Sequence, residues 1–222
     1  FYDDYFIADK KRLYEICNTM IQEQLNLQWV CSARVNAVND EMLSLMKRAG
    51  CFQIAYGIES GNQDILNFQQ KGITLGRIRS AVEMTRNAGI RTKGYFIIGH
   101  PTETIETIQQ TINFAKLLPL DNFQATYFTP FPGSPAYDIA DKYGKFENDW
   151  AKMNMWDIVF VPHTLTKSYL IKKRNEAFRR FYLRPRITAK YAKLLLEKPK
   201  FIPLLFNDFI SFVKMVRAKS AH

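Results

Sequence analysis

Segments typical of strands and of helices alternate along most of this chain, and that alternation limits the possible folds. Strands are predicted at 28–34, 52–58, 94–98 and 123–128, with amphipathic helices between them. Such an order predicts parallel strands joined by right-handed crossovers, in an open doubly wound sheet or a barrel. The nearly continuous apolar sequence from Tyr95 to Ile98 predicts burial on both faces of the sheet.

The predicted helices begin and end at recognisable residues. Asp9, Asn39 and Thr74 are placed as N-caps, while Gly50 and Gly89 suit the ends of helices. A further helix is predicted from about 105 to the residues before 119, and another from about 166 to 183. The chain opens at Phe1 inside an apolar segment. We interpret this segment as the end of a strand whose beginning precedes the chain.

Polar residues, with Gly and Pro, follow each predicted strand. In α/β folds, ligands bind at the carboxyl ends of parallel strands. A series of five such ends therefore favours a binding site there. The candidate residues are Asp3, Asp4, Arg34, Glu59, Ser60, Ile98, Gly99, Pro101, Glu103, Thr129 and Pro130.

These residue types suit a ligand that has both charged and flat apolar parts. The planar fork of Arg34 matches a carboxylate, and Glu59 with Ser60 can bind hydroxyls or an amine. The segment 57–61 has neither the Lys-Ser/Thr of a phosphate-binding loop nor the Gly-x-Ser-x-Gly of a nucleophile elbow. His100 is more typical of a turn or packing residue than of a catalytic base.

The three cysteines do not have the spacing of a metal site or a disulfide scaffold. Cys17 falls on the apolar face of a helix, and Cys31 and Cys51 fall in or beside strands. All three are predicted to be buried apolar residues. So few cysteines, so far apart, favour a reducing compartment, and we expect the protein to be cytoplasmic.

The ordered set of motifs resembles the radical S-adenosylmethionine (SAM) enzymes, in particular the subgroup that often carries a cobalamin-binding domain. The matching segments are FYDDYF at 1–6, WVCSAR at 29–34, AGC at 49–51, GIESG at 57–61, FIIGHPTET at 96–104 and TPFPGSP at 129–135. A looser resemblance continues through FYLRP at 181–185. It implies a partial (β/α) barrel truncated at its N-terminus, over residues 1–135. A connecting segment at 136–165 and a basic helical extension at 166–222 would follow.

The resemblance implies SAM as cofactor, bound across the strand ends for radical or methyl-transfer chemistry. Arg34 would lie near the methionine carboxylate, and Glu59 with Ser60 would contact the ribose or the methionine part. Asp3 and Asp4 would present polar groups to the amino group of the cofactor.

The adenine would lie at the later strand ends. The resemblance places Ile98 and Gly99 along the base, with Thr129 and Pro130 flanking it. Pro101 and Glu103 would shape the loop between them. Thr102 stands where the subgroup usually has Gly, which predicts a reshaped turn.

The Cys-x3-Cys-x2-Cys motif that holds the [4Fe–4S] cluster in this family is absent from the chain. Its loop would precede Phe1, so the missing N-terminal part of the same protein is an expected partner. Cobalamin is a further expected cofactor. Two alternatives stay open: a cluster-independent barrel enzyme whose acid–base pair would be Glu59 and Glu103, and a non-catalytic module that binds a nucleoside or lipid.

The charge of the chain is concentrated near its end. Residues 167–222 contain 15 Lys and Arg against 3 Asp and Glu. An apolar helix is predicted from 203 to 217, too short to span a bilayer. It suits packing against protein or peripheral contact with a membrane. The expected substrate is a small molecule or a lipid, and a nucleic acid is not expected because the basic residues form no known reader motif.

Overall fold

The computed structural model describes residue 1, residues 5–197 and residue 210. Its main sheet has four strands, all parallel and in the order of the chain. The strands are β1 (Trp29–Ala33), β2 (Cys51–Glu59), β3 (Arg91–Ile98) and β4 (Asn122–Tyr127). Neighbouring strands of the sheet are thus consecutive in the sequence, as in a section of a barrel wall, and the predicted parallel architecture is confirmed.

Helices connect the strands, and the predicted caps are present. The side chains of Asp9, Asn39 and Thr74 each accept a hydrogen bond from a backbone N–H three residues later. The connecting helices are α1 (Lys10–Gln22), α2 (Asp40–Arg48), α3 (Gln63–Phe68), α4 (Leu75–Asn87) and α5 (Ile105–Leu117). Of these, sequence periodicity did not predict the six-residue α3.

The two faces of the sheet differ in burial, which corrects the expectation that both would be buried. Along β3, residues alternate between buried and half-buried. Phe96 and Ile98 point into the apolar core beneath the helices. The opposite face carries polar groups: Lys93 donates to the Gln124 side chain at 2.8 Å, and Asn122 donates to that of Gln53 at 2.6 Å. In the described residues, this second face is therefore the more polar one.

The three cysteines lie in the core, as predicted. Cys17 on α1, Cys31 on β1 and Cys51 on β2 are all free thiols and at most 3% exposed. Burial raises the pKa of the Cys17 thiol to about 11. A thiol in this state is a packing group rather than a nucleophile.

A small antiparallel pair of strands follows the sheet and was not predicted. β5 (Gly144–Phe146) pairs with β6 (Phe160–Pro162), after the short helices α6 (Pro135–Asp138) and α7 (Ala140–Tyr143). The backbone N–H of Tyr127 donates to the carbonyl of Met155 at 2.9 Å. The segment between β5 and β6 is therefore joined to the end of β4.

The first part of the predicted extension shares the core of the barrel. It forms α8 (Lys167–Tyr182) and α9 (Pro185–Glu197), from which Leu170 and Phe181 enter the core. The Arg184 guanidinium donates to the carbonyls of Lys116, Leu118 and Leu120 around the end of α5. Cations are favoured at this end of a helix.

The predicted apolar helix at 203–217 lies almost entirely outside the described residues, apart from residue 210. Within the part of the chain that is described, no helix combines the length and hydropathy needed to cross a membrane.

Candidate functional site

A cleft of about 360 Å³ opens at the carboxyl ends of the first three strands. It lies on the polar face of the sheet, at the carboxyl ends of the strands where the sequence predicted a site. Its lining residues are Tyr5, Ser32, Ala33, Arg34, Val35, Asn36, Ala55, Gly57, Glu59, Lys71, Ile73 and Tyr95. Of the predicted site residues, Arg34 and Glu59 line this cleft.

Glu59 reaches the cleft through an irregularity in the sheet. Gly57 pairs with Tyr95 and Glu59 pairs with Phe96, so β2 bulges at the residue between them. Glu59 itself has a φ of +66°, in the left-handed region that non-glycine residues rarely adopt. Bulges and strained backbone both occur preferentially beside functional sites, where they redirect a side chain.

The Glu59 carboxylate accepts a hydrogen bond from Lys71 Nζ at 2.6 Å. The two side chains are 13% and 32% exposed, so solvent screens this pair less than a surface ion pair. Lys71 lies on the segment between α3 and α4 and was not predicted from the sequence. A single lysine in a polar loop gives no periodic signal, and its partner is twelve residues away.

Gly57 provides the space for this ion pair. A Cβ at this position would lie 2.7 Å from Glu59 Oε1 and 3.5 Å from Lys71 Nζ. Any other residue would therefore displace the carboxylate. The space beside Gly57 is thus taken by the chain's own Glu59 and Lys71 side chains.

Arg34 directly follows β1 at the rim of the cleft. Its side chain is exposed, and its guanidinium carbon lies 5.3 Å from the centre of the Tyr5 ring. Stacking of this kind holds the planar fork while leaving donors for a carboxylate. Together with Lys71, it gives the cleft two cations beside the one Glu59 carboxylate.

Ser60 is placed differently from Glu59. It is fully buried, and its hydroxyl is 3.0 Å from that of Thr111 on α5. It also accepts from the N–H of Asn62 at 3.1 Å. Ser60 therefore joins the end of β2 to α5 and does not line the cleft.

The loop after β3 is organised by Glu103. Its fully buried carboxylate accepts hydrogen bonds from the N–H groups of Gly99 and His100. Gly99 adopts a φ of +91°, so Gly99 and not Thr102 takes the left-handed conformation. Burial raises the pKa of the Glu103 carboxyl to about 8. Glu103 thus shapes the loop and is not a cleft residue, so the acid–base pair of Glu59 and Glu103 is not assembled.

The remaining predicted residues near these strand ends are buried. Ile98 and Pro101 are enclosed on either side of Gly99, and Pro130 follows the buried Thr129. The Thr129 hydroxyl donates to the carbonyl of Tyr127 at 3.4 Å. None of these four lines the cleft, and a contact with adenine stays a prediction.

Asp3 and Asp4 lie outside the described residues, so their predicted contact with the cofactor amino group also stays a prediction.

His100 is a packing residue, as the sequence indicated. It is 1% exposed, and its ring nitrogens are within 3.2 Å of the Gln69 side-chain nitrogen. Burial, helped by the positive charge of Lys71, lowers its pKa to about 3. The imidazole is therefore neutral over the physiological range.

A second cavity, of about 400 Å³, lies at the opposite ends of the strands. It is bounded by α1, the start of β1 and the end of α2, and Arg48 is the charged side chain in its lining. The smaller cleft is the better candidate site, because ligands bind at the carboxyl ends of parallel strands and because it contains more charged side chains.

Among the described residues, no group of three or more His, Cys, Asp or Glu side chains could hold a metal ion. These residues therefore do not fit an iron–sulfur cluster. They do fit part of a SAM molecule, because the cleft offers a cationic fork for a carboxylate and a carboxylate for hydroxyls or an ammonium.

Comparison with known proteins decides the family. A model of the radical SAM superfamily matches residues 2–115, about half of the chain. The chain belongs to the radical SAM superfamily. The predicted family is thereby confirmed, and with it the class of enzyme.

Curated relatives include methyltransferases. An uncharacterized methyltransferase of Pyrococcus horikoshii is 37% identical over 191 residues, which cover 86% of this chain and 42% of the relative. A bacteriochlorophyllide d C-12(1)-methyltransferase of Chlorobaculum tepidum is 27% identical over 212 residues, covering 94% and 46%. The chain thus spans less than half the length of these relatives.

Solved structures confirm the fold. The radical SAM methyltransferase TsrM of Kitasatospora setae, solved with cobalamin and a [4Fe–4S] cluster bound, superposes with a TM-score of 0.56 at 18% identity. The match covers 81% of this chain and 36% of TsrM. The predicted radical SAM type of barrel is therefore confirmed. A protein that shares this fold also holds cobalamin, as members of the predicted subgroup do.

Proposed function

We propose that this chain forms the SAM-binding part of a radical SAM enzyme and that the reaction of the whole protein is methyl transfer. The observation that carries the proposal is the cleft at the strand ends, which is lined by Arg34, Glu59 and Lys71. The ligands of the [4Fe–4S] cluster would come from residues other than those described.

The residues of the cleft take separate tasks in this proposal. Arg34 binds the methionine carboxylate, since its guanidinium offers a bidentate fork at the rim. Glu59 accepts hydrogen bonds from the ribose hydroxyls or from the amino group. SAM held there would supply radical chemistry when reduced by the [4Fe–4S] cluster or, together with cobalamin, a methyl group for transfer.

Methyl transfer is favoured by several of the curated relatives, while others are named as cyclases. Both curated relatives described above are methyltransferases by name, and one is named for a bacteriochlorophyllide, a small molecule. The structure of TsrM with cobalamin supports cobalamin as a second cofactor. We propose a small-molecule substrate accordingly. The basic region at the end of the chain is the feature that supports the alternative of a lipid substrate and of peripheral contact with a membrane.

The test is the affinity of the intact protein for SAM, measured by calorimetry without a reductant so that no turnover occurs. Glu59→Ala should weaken binding by about tenfold to a hundredfold, because a charge-assisted hydrogen bond in a partly buried site contributes about 1.5–3 kcal/mol.

Glu147→Ala is the matched control for Glu59→Ala. Glu147 also forms an ion pair with a lysine, Lys152, but it is 49% exposed and lies outside the cleft. This variant should bind SAM like the wild type. Equal affinities of the two variants would remove Glu59 from the site and with it the proposed function.

A further inference from the structure

Lys71 is held in place by the backbone around it. Its neighbours Gln70 and Gly72 have φ values of +51° and +64°, and its own N–H donates to the carbonyl of Leu66 at 3.1 Å. This tight turn at the end of α3 directs the side chain back toward β2. The backbone of Lys71 is therefore fixed at the point from which its ammonium group reaches Glu59.

The carboxylate of Glu59 is constrained from three sides. The bulge and the left-handed backbone aim it at the cleft, Gly57 leaves room beneath it, and Lys71 Nζ holds one oxygen at 2.6 Å. A long carboxylate side chain without such a partner samples several rotamers, and fixing it costs entropy when a ligand binds. The ion pair removes that freedom in advance.

We propose that Lys71 is a positioning residue, which orients the Glu59 carboxylate over Gly57 for contact with the ligand. The inference rests on the proposed function, since it concerns the same cleft. It goes further by assigning a positioning role to Lys71, which lies outside the segments that carry the family resemblance.

The molecule contains its own comparison for this assignment. Lys152 and Glu147 form a second Lys–Glu pair, with side chains 47% and 49% exposed and no place in the cleft. Ion pairs that are exposed to solvent contribute little to the stability of a protein. If ion pairing alone mattered, the two lysines would be equivalent; if position in the cleft matters, they differ.

The experiment is a double-mutant cycle on SAM affinity in the intact protein, with Lys71→Met, Glu59→Ala and the double variant. We expect Lys71→Met to weaken binding about tenfold when Glu59 is present and less than twofold when it is absent. Lys71→Arg should recover part of the loss. Lys152→Met should leave the affinity unchanged. Thermal unfolding of each variant checks that the fold is intact.

Gly57→Ala tests the same geometry without removing a charge. The added methyl group would push the Glu59 carboxylate aside, so SAM affinity should fall by about the same factor as in Lys71→Met while the protein stays folded. This variant also keeps the proposal testable if Lys71→Met fails to fold.

Two results would overturn the inference. A loss from Lys71→Met that is equally large with and without Glu59 means that Lys71 does not act through the carboxylate. An unchanged affinity in Lys71→Met and Gly57→Ala means that the pair has no role in binding. If Glu59→Ala itself binds SAM normally, the proposed function fails first, so the two failures are distinguishable.

Discussion

Glu103 shows how burial of a single carboxyl group makes stability depend on pH. Its pKa is raised from about 4.5 to about 8, so the folded protein binds this proton more tightly than the unfolded chain. A carboxyl group of this kind contributes stability at low pH that is lost as the pH rises through about 8. One such group changes the free energy of unfolding by at most about 1.4 kcal/mol for each pH unit.

We therefore expect Glu103→Gln to flatten the pH dependence of unfolding between about pH 5 and 8, since the amide keeps an acceptor for the N–H groups of Gly99 and His100 but does not titrate. Urea unfolding at several pH values measures this slope. Glu83→Gln, at an exposed position on α4, should keep the slope of the wild type. If the free energy of unfolding of Glu103→Gln depends on pH as steeply as that of the wild type, burial does not raise the pKa of Glu103.

At the scale of elements, the contact between the end of β2 and α5 depends on Gly61. A Cβ there would lie 2.5 Å from Cβ of Phe114 and 2.7 Å from Cα of Thr111. Because those atoms belong to a packed helix, Gly61→Ala should lower the free energy of unfolding by about 2 kcal/mol.

Gly76 provides the opposite case, on the exposed side of α4. The nearest atom to an added Cβ is the Thr74 hydroxyl oxygen at 3.9 Å. Gly76→Ala should therefore raise the free energy of unfolding by about 0.5–1 kcal/mol, through helix propensity. Chemical denaturation of both variants measures the difference, and equal effects of the two changes would contradict this account of the packing.

The elements that the sequence predicted are those with local signals. Asp9, Asn39 and Thr74 cap their helices as expected, because a cap depends on the three residues after it. β5 and β6 were missed since three residues are too few to show a period. The bulge in β2 depends on pairing with β3, which no local pattern encodes.

At the scale of the whole molecule, the candidate site also combines residues with a local sequence signal and residues that depend on distant contacts. Arg34 and Glu59 were found because they end predicted strands, and both line the cleft. Ser60 and Glu103 also end strands, but their polar atoms hold backbone and a neighbouring helix. Residue type alone cannot tell a polar side chain that lines the cleft from one that forms hydrogen bonds within the protein. Lys71 could not be found, because its importance comes from a contact between a loop and the end of a strand twelve residues away.

The central claim is that the carboxyl-end cleft binds SAM, and amide hydrogen exchange of the intact protein with and without SAM tests it most directly. We predict slower exchange around Arg34, Glu59 and Lys71, with no change around Leu27 and Gly50, which line the cavity at the opposite end of the sheet. Protection confined to the second cavity, or absent from all of these segments, would contradict the account.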